Sequence, residues 1–125
     1  MENLIMITED YVSHETAKLL KEKGFIYHNC HTAYDKDGVF FLYGDYSKDR
    51  KGVVDAPTLQ MVMKWLREVH KIFISIFPTL ETDMITSEDY NYAIYKGNAV
   101  VYQTCCVTYE EGCEAAIKYC LENLI

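Results

Sequence analysis

The sequence predicts an α+β fold, in the order α-β-β-α-β-β-β-α, with a mainly antiparallel sheet and its helices packed on one face. Three observations predict it. Apolar residues recur at helical spacing in three segments that carry capping residues. Runs rich in β-branched and aromatic residues are joined in pairs by Asp37-Gly38 and Gly97-Asn98, the turn dipeptides of hairpins. No repeat, low-complexity tract or linker breaks the chain, so residues 1–125 read as a single domain.

Taken in order, the first helix is expected over about Ser13 to Lys23. Ser13 is its cap, and Val12 and Ala17 can staple across it. Ala17, Leu19 and Leu20 form its apolar side. Gly24 suits the left-handed residue that ends a helix, and Phe25 follows as its hydrophobic partner. Phe25 to Thr32 reads as a strand, Tyr34 to Gly38 as a turn and Val39 to Tyr43 as a second strand. Asp45 to Gly52 is a polar loop carrying Lys48, Arg50 and Lys51.

The second helix opens near Asp55-Ala56-Pro57-Thr58, with Asp55 or Ala56 as its cap and Pro57 in its first turn. Leu59, Val62, Met63, Leu66 and Val69 are its buried stripe, flanked by Trp65. Gln60, Lys64, Arg67 and Lys71 take the other side. Ile72 to Phe77 is a strand closed by Pro78, Thr79 to Asp89 a loop, and Tyr90 to Lys96 and Ala99 to Val107 a hairpin. Thr108 and Glu111 match a capping box. The last helix runs to about Asn123, with Tyr109, Cys113, Ala116, Ile117, Cys120, Leu121 and Leu124 as its stripe.

A net charge of −7 opposes binding to nucleic acid or anionic lipid. No run approaches the ~20 apolar residues that span a bilayer. The N-terminus lacks a basic leader and turns acidic at Glu9-Asp10, so the expected location is cytoplasmic.

Five cysteines without a CxxC spacing fit free thiols. Cys113 and Cys120 belong to the core by helical spacing. Adjacent on a strand, Cys105 and Cys106 face opposite sides, so one is expected to be exposed. Cys30 is open to either assignment. His28, Cys30 and His31 do not make a metal site, because strand geometry turns His31 away from the other two. Asp35-Lys36-Asp37-Gly38 opens like a calcium loop, but Tyr46 stands where the closing glutamate belongs. Phosphate-loop and nucleophile-elbow patterns are absent, and no cofactor, metal or catalytic residue is assigned. The pairs Glu9/Asp10, Glu88/Asp89 and Glu110/Glu111 read as solvated or helix-capping carboxylates.

Two surface features remain as candidates. Tyrosine is abundant, at 11 of 125 residues, and Tyr90, Tyr92 and Tyr102 lie on paired strands. They suit half-buried strands, and they also suit an aromatic binding surface. Lys64, Arg67 and Lys71 form a basic ridge, which with Lys48, Arg50 and Lys51 holds six of the 12 basic residues. That ridge is either a solvated face or an anion site.

Three segments carry a resemblance. They are Tyr11 to Phe25 (YVSHETAKLLKEKGF), Ala56 to His70 (APTLQMVMKWLREVH) and Tyr109 to Ile125 (YEEGCEAAIKYCLENLI). They are similar to a set of small uncharacterised accessory proteins of gut Bacteroides-group bacteria and their phages or prophages. The similarity spans nearly the whole chain. It implies a mobile-element context and transfers no catalytic residue.

The resulting expectation is a non-enzymatic binding protein of phage or prophage origin, acting as a homo-oligomer. It would sequester a small anionic, nucleotide-like signal as a counter-defence sponge, through Lys48, Arg50, Lys64, Arg67, Lys71, Tyr90, Tyr92 and Tyr102. The alternatives are a protein-interaction module, acting on a host factor or as an assembly component, and a small enzyme using Cys105 or Cys106.

Overall fold

Ser13 starts the first helix by a local hydrogen bond: its side chain accepts from the Thr16 N–H at 3.2 Å. α1 then runs His14–Glu22. Gly24 ends it at φ 83°, a conformation that favours glycine. The Gly24 N–H donates to the Lys21 carbonyl at 3.3 Å and the Phe25 N–H to the Leu20 carbonyl at 3.0 Å, the two bonds of a Schellman motif. Phe25 therefore closes α1 instead of opening a strand. These elements come from a computed structural model that describes residues 7–26, 30–42, 51–79 and 90–125.

β1 (Thr32–Tyr34) and β2 (Phe40–Leu42) form the first hairpin, in the register Ala33 with Phe41. Asp35 holds its turn by accepting from the N–H groups of Asp37 at 2.8 Å and Val39 at 3.0 Å. A short β3, Val54–Asp55, pairs antiparallel with the other side of β1.

α2 spans Leu59–Val69, and its cap is Thr58, which accepts from the Met61 N–H at 3.1 Å. The expected caps Asp55 and Ala56 lie upstream in and after β3, and Pro57 precedes the cap. Tertiary pairing decides this: Tyr11 bridges Thr58, and the Leu59 N–H donates to the Asp10 carbonyl at 2.9 Å. The helix also ends earlier than the basic spacing implies. His70 is its C-cap, and Lys71 stands beyond it at φ 58°.

β4 (Ile72–Pro78), β5 (Tyr90–Lys96) and β6 (Ala99–Cys106) form an antiparallel sheet with β5 in the centre. Thr108 caps α3 (Tyr109–Asn123), accepting from the Glu111 N–H at 3.1 Å. The order is thus α-β-β-β-α-β-β-β-α. The fold is α+β as expected, with one strand more among the described residues, and with two three-stranded sheets there where one sheet was expected.

The stripe of α3 points inward, with Cys113, Ala116, Ile117, Cys120 and Leu121 fully buried. Tyr109, expected in that stripe, is 38% exposed because it sits at the solvent-facing start of the helix. α3 packs against α1, α2 and every strand of the larger sheet. Gly112 permits the close approach: a Cβ there would lie 2.8 Å from the Cys106 Sγ. One core cluster joins Val12 and Leu20, Val54 of β3, Leu66 of α2, Ile94 of β5 and Ile117 of α3. α2 and α3 cover one face of the larger sheet, where Ile72, Tyr92 and Ile94 are buried. Phe73, alternating to the other face, is 46% exposed.

Candidate functional site

The sequence-predicted residues lie on separate elements. Lys64 and Arg67 are exposed on α2. Lys64 lines an apolar groove of about 240 Å³ with Phe25, Trp65 and Val69. Lys71 does not continue the ridge. Its Nζ donates to the Glu68 carbonyl at 2.9 Å, which places a cation at the negative end of α2. Lys51 lines a groove together with Asp35 and Asp37. Lys48 and Arg50 lie outside the described residues, as do His28, Tyr46 and Glu88/Asp89.

The tyrosines sit at the far side of the larger sheet. Tyr92 is not on the surface: it is 5% exposed, and burial pushes its phenol up to about 12. Tyr102 stacks on Tyr119 with ring centroids 4.0 Å apart and planes 17° apart. Tyr90 is half-buried and meets Tyr109 edge-on at 6.4 Å. α2 packs on β4 and α3, whereas Tyr92 lies on the central β5, Tyr102 on the edge strand β6 and Tyr119 on α3, so the basic pair and the tyrosine group are carried on different elements.

The thiols follow the sequence reading in part. Cys105 is exposed, Cys106 half-buried, and Cys30, Cys113 and Cys120 are buried. Burial pushes Cys106 above the ordinary thiol value, away from what a nucleophile requires. Cys113 is pushed up to about 11 and Cys120 to about 12. Among the described residues, no group of three or more His, Cys, Asp or Glu side chains is placed to hold a metal, and no helix is long and apolar enough to cross a membrane.

The structure does assemble a groove that the sequence did not announce. Residues 10–12 run alongside 57–59, fixed by the Val12 N–H to the Pro57 carbonyl at 3.0 Å and by the Tyr11–Thr58 bridge. The first turns of α3 make the opposite wall. Glu114 ties the walls together: its Oε1 accepts from the Ser13 N–H at 3.0 Å and the Thr16 hydroxyl at 2.7 Å. Its Oε2 is buried and has no hydrogen-bond partner among the described residues.

Between these walls lies an open groove of about 490 Å³. Tyr11, Leu59 and Ala115 give it an apolar floor, and Asp10, Glu110 and Glu111 stand on its rim. A smaller hollow of about 130 Å³ continues it toward Glu9, Gln60 and Tyr109. The one rim cation, Lys118, is held by Glu15 at 2.9 Å. No ion pair engages Asp10, Glu110 or Glu111 among the described residues. Asp10 and the pair Glu110/Glu111, far apart in the chain, thus face one groove, with Glu9 in the adjoining hollow. The sequence showed each pair, and nothing in it showed that they meet.

Comparison of the chain with protein-family models, with curated proteins and with solved structures finds no match.

Proposed function

We propose that this chain is a non-catalytic protein-interaction module of phage or prophage origin, acting in the host cytoplasm as a homo-oligomer. Its groove takes a basic, apolar-tipped segment of a partner protein. The observation that carries this reading is the groove itself, with an apolar floor of Tyr11, Leu59 and Ala115 under a carboxylate rim. Its volume suits a few side chains of a partner. An apolar floor supplies burial, and the rim charges select the sign of what approaches. The anionic-ligand reading has less support, because Lys64 and Arg67 stand exposed on α2 while Tyr92 is buried and Tyr102 is stacked on Tyr119 of α3.

The test is affinity capture from host lysate with cross-link mapping, comparing the native chain with the pair Glu110→Lys and Glu111→Lys. A partner that cross-links beside Tyr11 and Ala115, and is lost on charge reversal and at high salt, supports the reading. Capture that survives charge reversal sinks it. A melting-temperature rise with nucleotide second messengers, abolished by Lys64→Glu with Arg67→Glu, would instead support the anionic-ligand reading.

A further inference from the structure

β6 is an edge strand that lacks the charge and proline that protect many edges, although it carries one β-bulge. It pairs with β5 on one side and with no described residue on the other. Natural edges carry lysine, proline or inward charges that discourage further pairing. The other edge of this sheet, β4, includes Pro78, which removes a backbone donor, and it lies under α2. β6 reads Ala-Val-Val-Tyr-Gln-Thr-Cys-Cys, with no charge, proline or glycine. Its residues 99–103 are all exposed, and Val100 is 51% so. A bulge opposite Ile94 and Tyr95 leaves Val101 without a partner in β5.

The strand residues on the face away from the helices are also uncharged, and on the helix-covered face Lys96 pairs with Ala99 of β6. On the face away from α2 and α3 lie Phe73, Phe77, Tyr95, Val100 and Gln103, by strand alternation and register, around a buried Ala93. On the other face the Tyr102–Tyr119 stack sits beside the edge.

The geometry points to β6 as a homodimer seam, in which two copies join antiparallel about a two-fold axis into one six-stranded sheet. Charge argues for a second copy as the occupant. Each chain carries −7, so two copies repel unless they meet where charge is absent. β6 and its open-face flank supply such a region. An isologous contact also needs a surface that matches itself, and an antiparallel strand pair does so through its backbone alone. A six-stranded product is an ordinary sheet size. The groove and hollow rimmed by Glu9, Asp10, Glu110 and Glu111 do not reach β6, so that site stays open in the dimer. The inference rests on the homo-oligomer part of the proposed function and is independent of the groove.

The experiment is sedimentation velocity of the purified chain over a concentration series, with hydrogen exchange on the same samples. The native chain is expected to sediment as a dimer. The outward-facing amides of β6, unpaired in one copy, should become protected as the dimer forms. Val100→Lys with Gln103→Lys places like charges at the seam and should weaken the dimer by about 100-fold. Circular dichroism shows whether that variant folds, and the exchange pattern of the native chain decides the matter if it does not. A monomer at every concentration overturns both the seam and the homo-oligomer. A dimer whose β6 amides stay unprotected, or one that survives the lysines and breaks with Phe73→Lys, overturns the seam and leaves the homo-oligomer standing.

Discussion

Glu114 joins α3 to the start of α1. Its Oε1 serves the cap of α1 and the hydroxyl of Thr16, a buried polar residue that is 0% exposed. Glu114→Ala removes an acceptor from both donors. The expected loss is about 1–3 kcal/mol, because a buried donor without a partner costs its desolvation. Equilibrium urea unfolding measures it, and Thr16→Val in the same background should recover part of the loss. No recovery would mean that the hydroxyl finds another acceptor. Gly112 lies on the same helix. A methyl there meets Cys106 Sγ at 2.8 Å and Ile76 at 3.4 Å. Gly112→Ala should therefore destabilise by about 1–3 kcal/mol despite the better helix propensity of alanine. If the alanine chain melts at or above the native temperature, the close packing of α3 on the sheet is not as described.

At the scale of elements, the caps carry the testable content. Thr108→Ala leaves the Glu111 N–H without its acceptor at the start of α3, and should cost about 1 kcal/mol in thermal or urea unfolding. Thr108→Ser should restore it. These two caps, Ser13 and Thr108, were legible in the sequence because capping chemistry is local. So was the stripe of α3, where Cys113, Ala116, Ile117, Cys120 and Leu121 keep strict helical spacing. The second hairpin was legible from its turn dipeptide, whereas of the first only the Asp37-Gly38 turn and the second strand were, since its first strand is Thr32–Tyr34 and not Phe25 to Thr32. What was not legible depended on partners distant in sequence. Val54–Asp55 is too short to show a period, and it is a strand only because β1 lies beside it. Thr58 outcompetes Asp55 as a cap because residues 10–12 pair with 57–59. Lys71 looked like a ridge member because no glycine or proline marks the end of α2. The groove was hidden for the same reason: Glu9/Asp10 and Glu110/Glu111 each have a sufficient local explanation.

The whole molecule should lose stability in alkali. Tyr92 rises from 10.0 to about 12, Cys113 from 9.0 to about 11 and Cys120 from 9.0 to about 12, each chiefly through burial. The folded state therefore holds protons that the unfolded chain has released, so stability is complete below the unfolded values and falls as pH rises through this window. Urea midpoints from about pH 8 to about pH 11 should decline steadily. Cys113→Ala with Cys120→Ala should flatten the thiol part of that slope, and an unchanged slope would refute the assignment.

The bond from the Ser13 N–H to Glu114 joins residues 101 positions apart. That separation governs how the chain finds its structure as well as how it keeps it. α1 also packs on β3, but closing a loop of that length must precede the gain from its contact with α3. The α1–α3 contact should thus form late in refolding, after α1 has met β3. During synthesis, the side of α1 that meets α3 waits for the whole of the sequence between them.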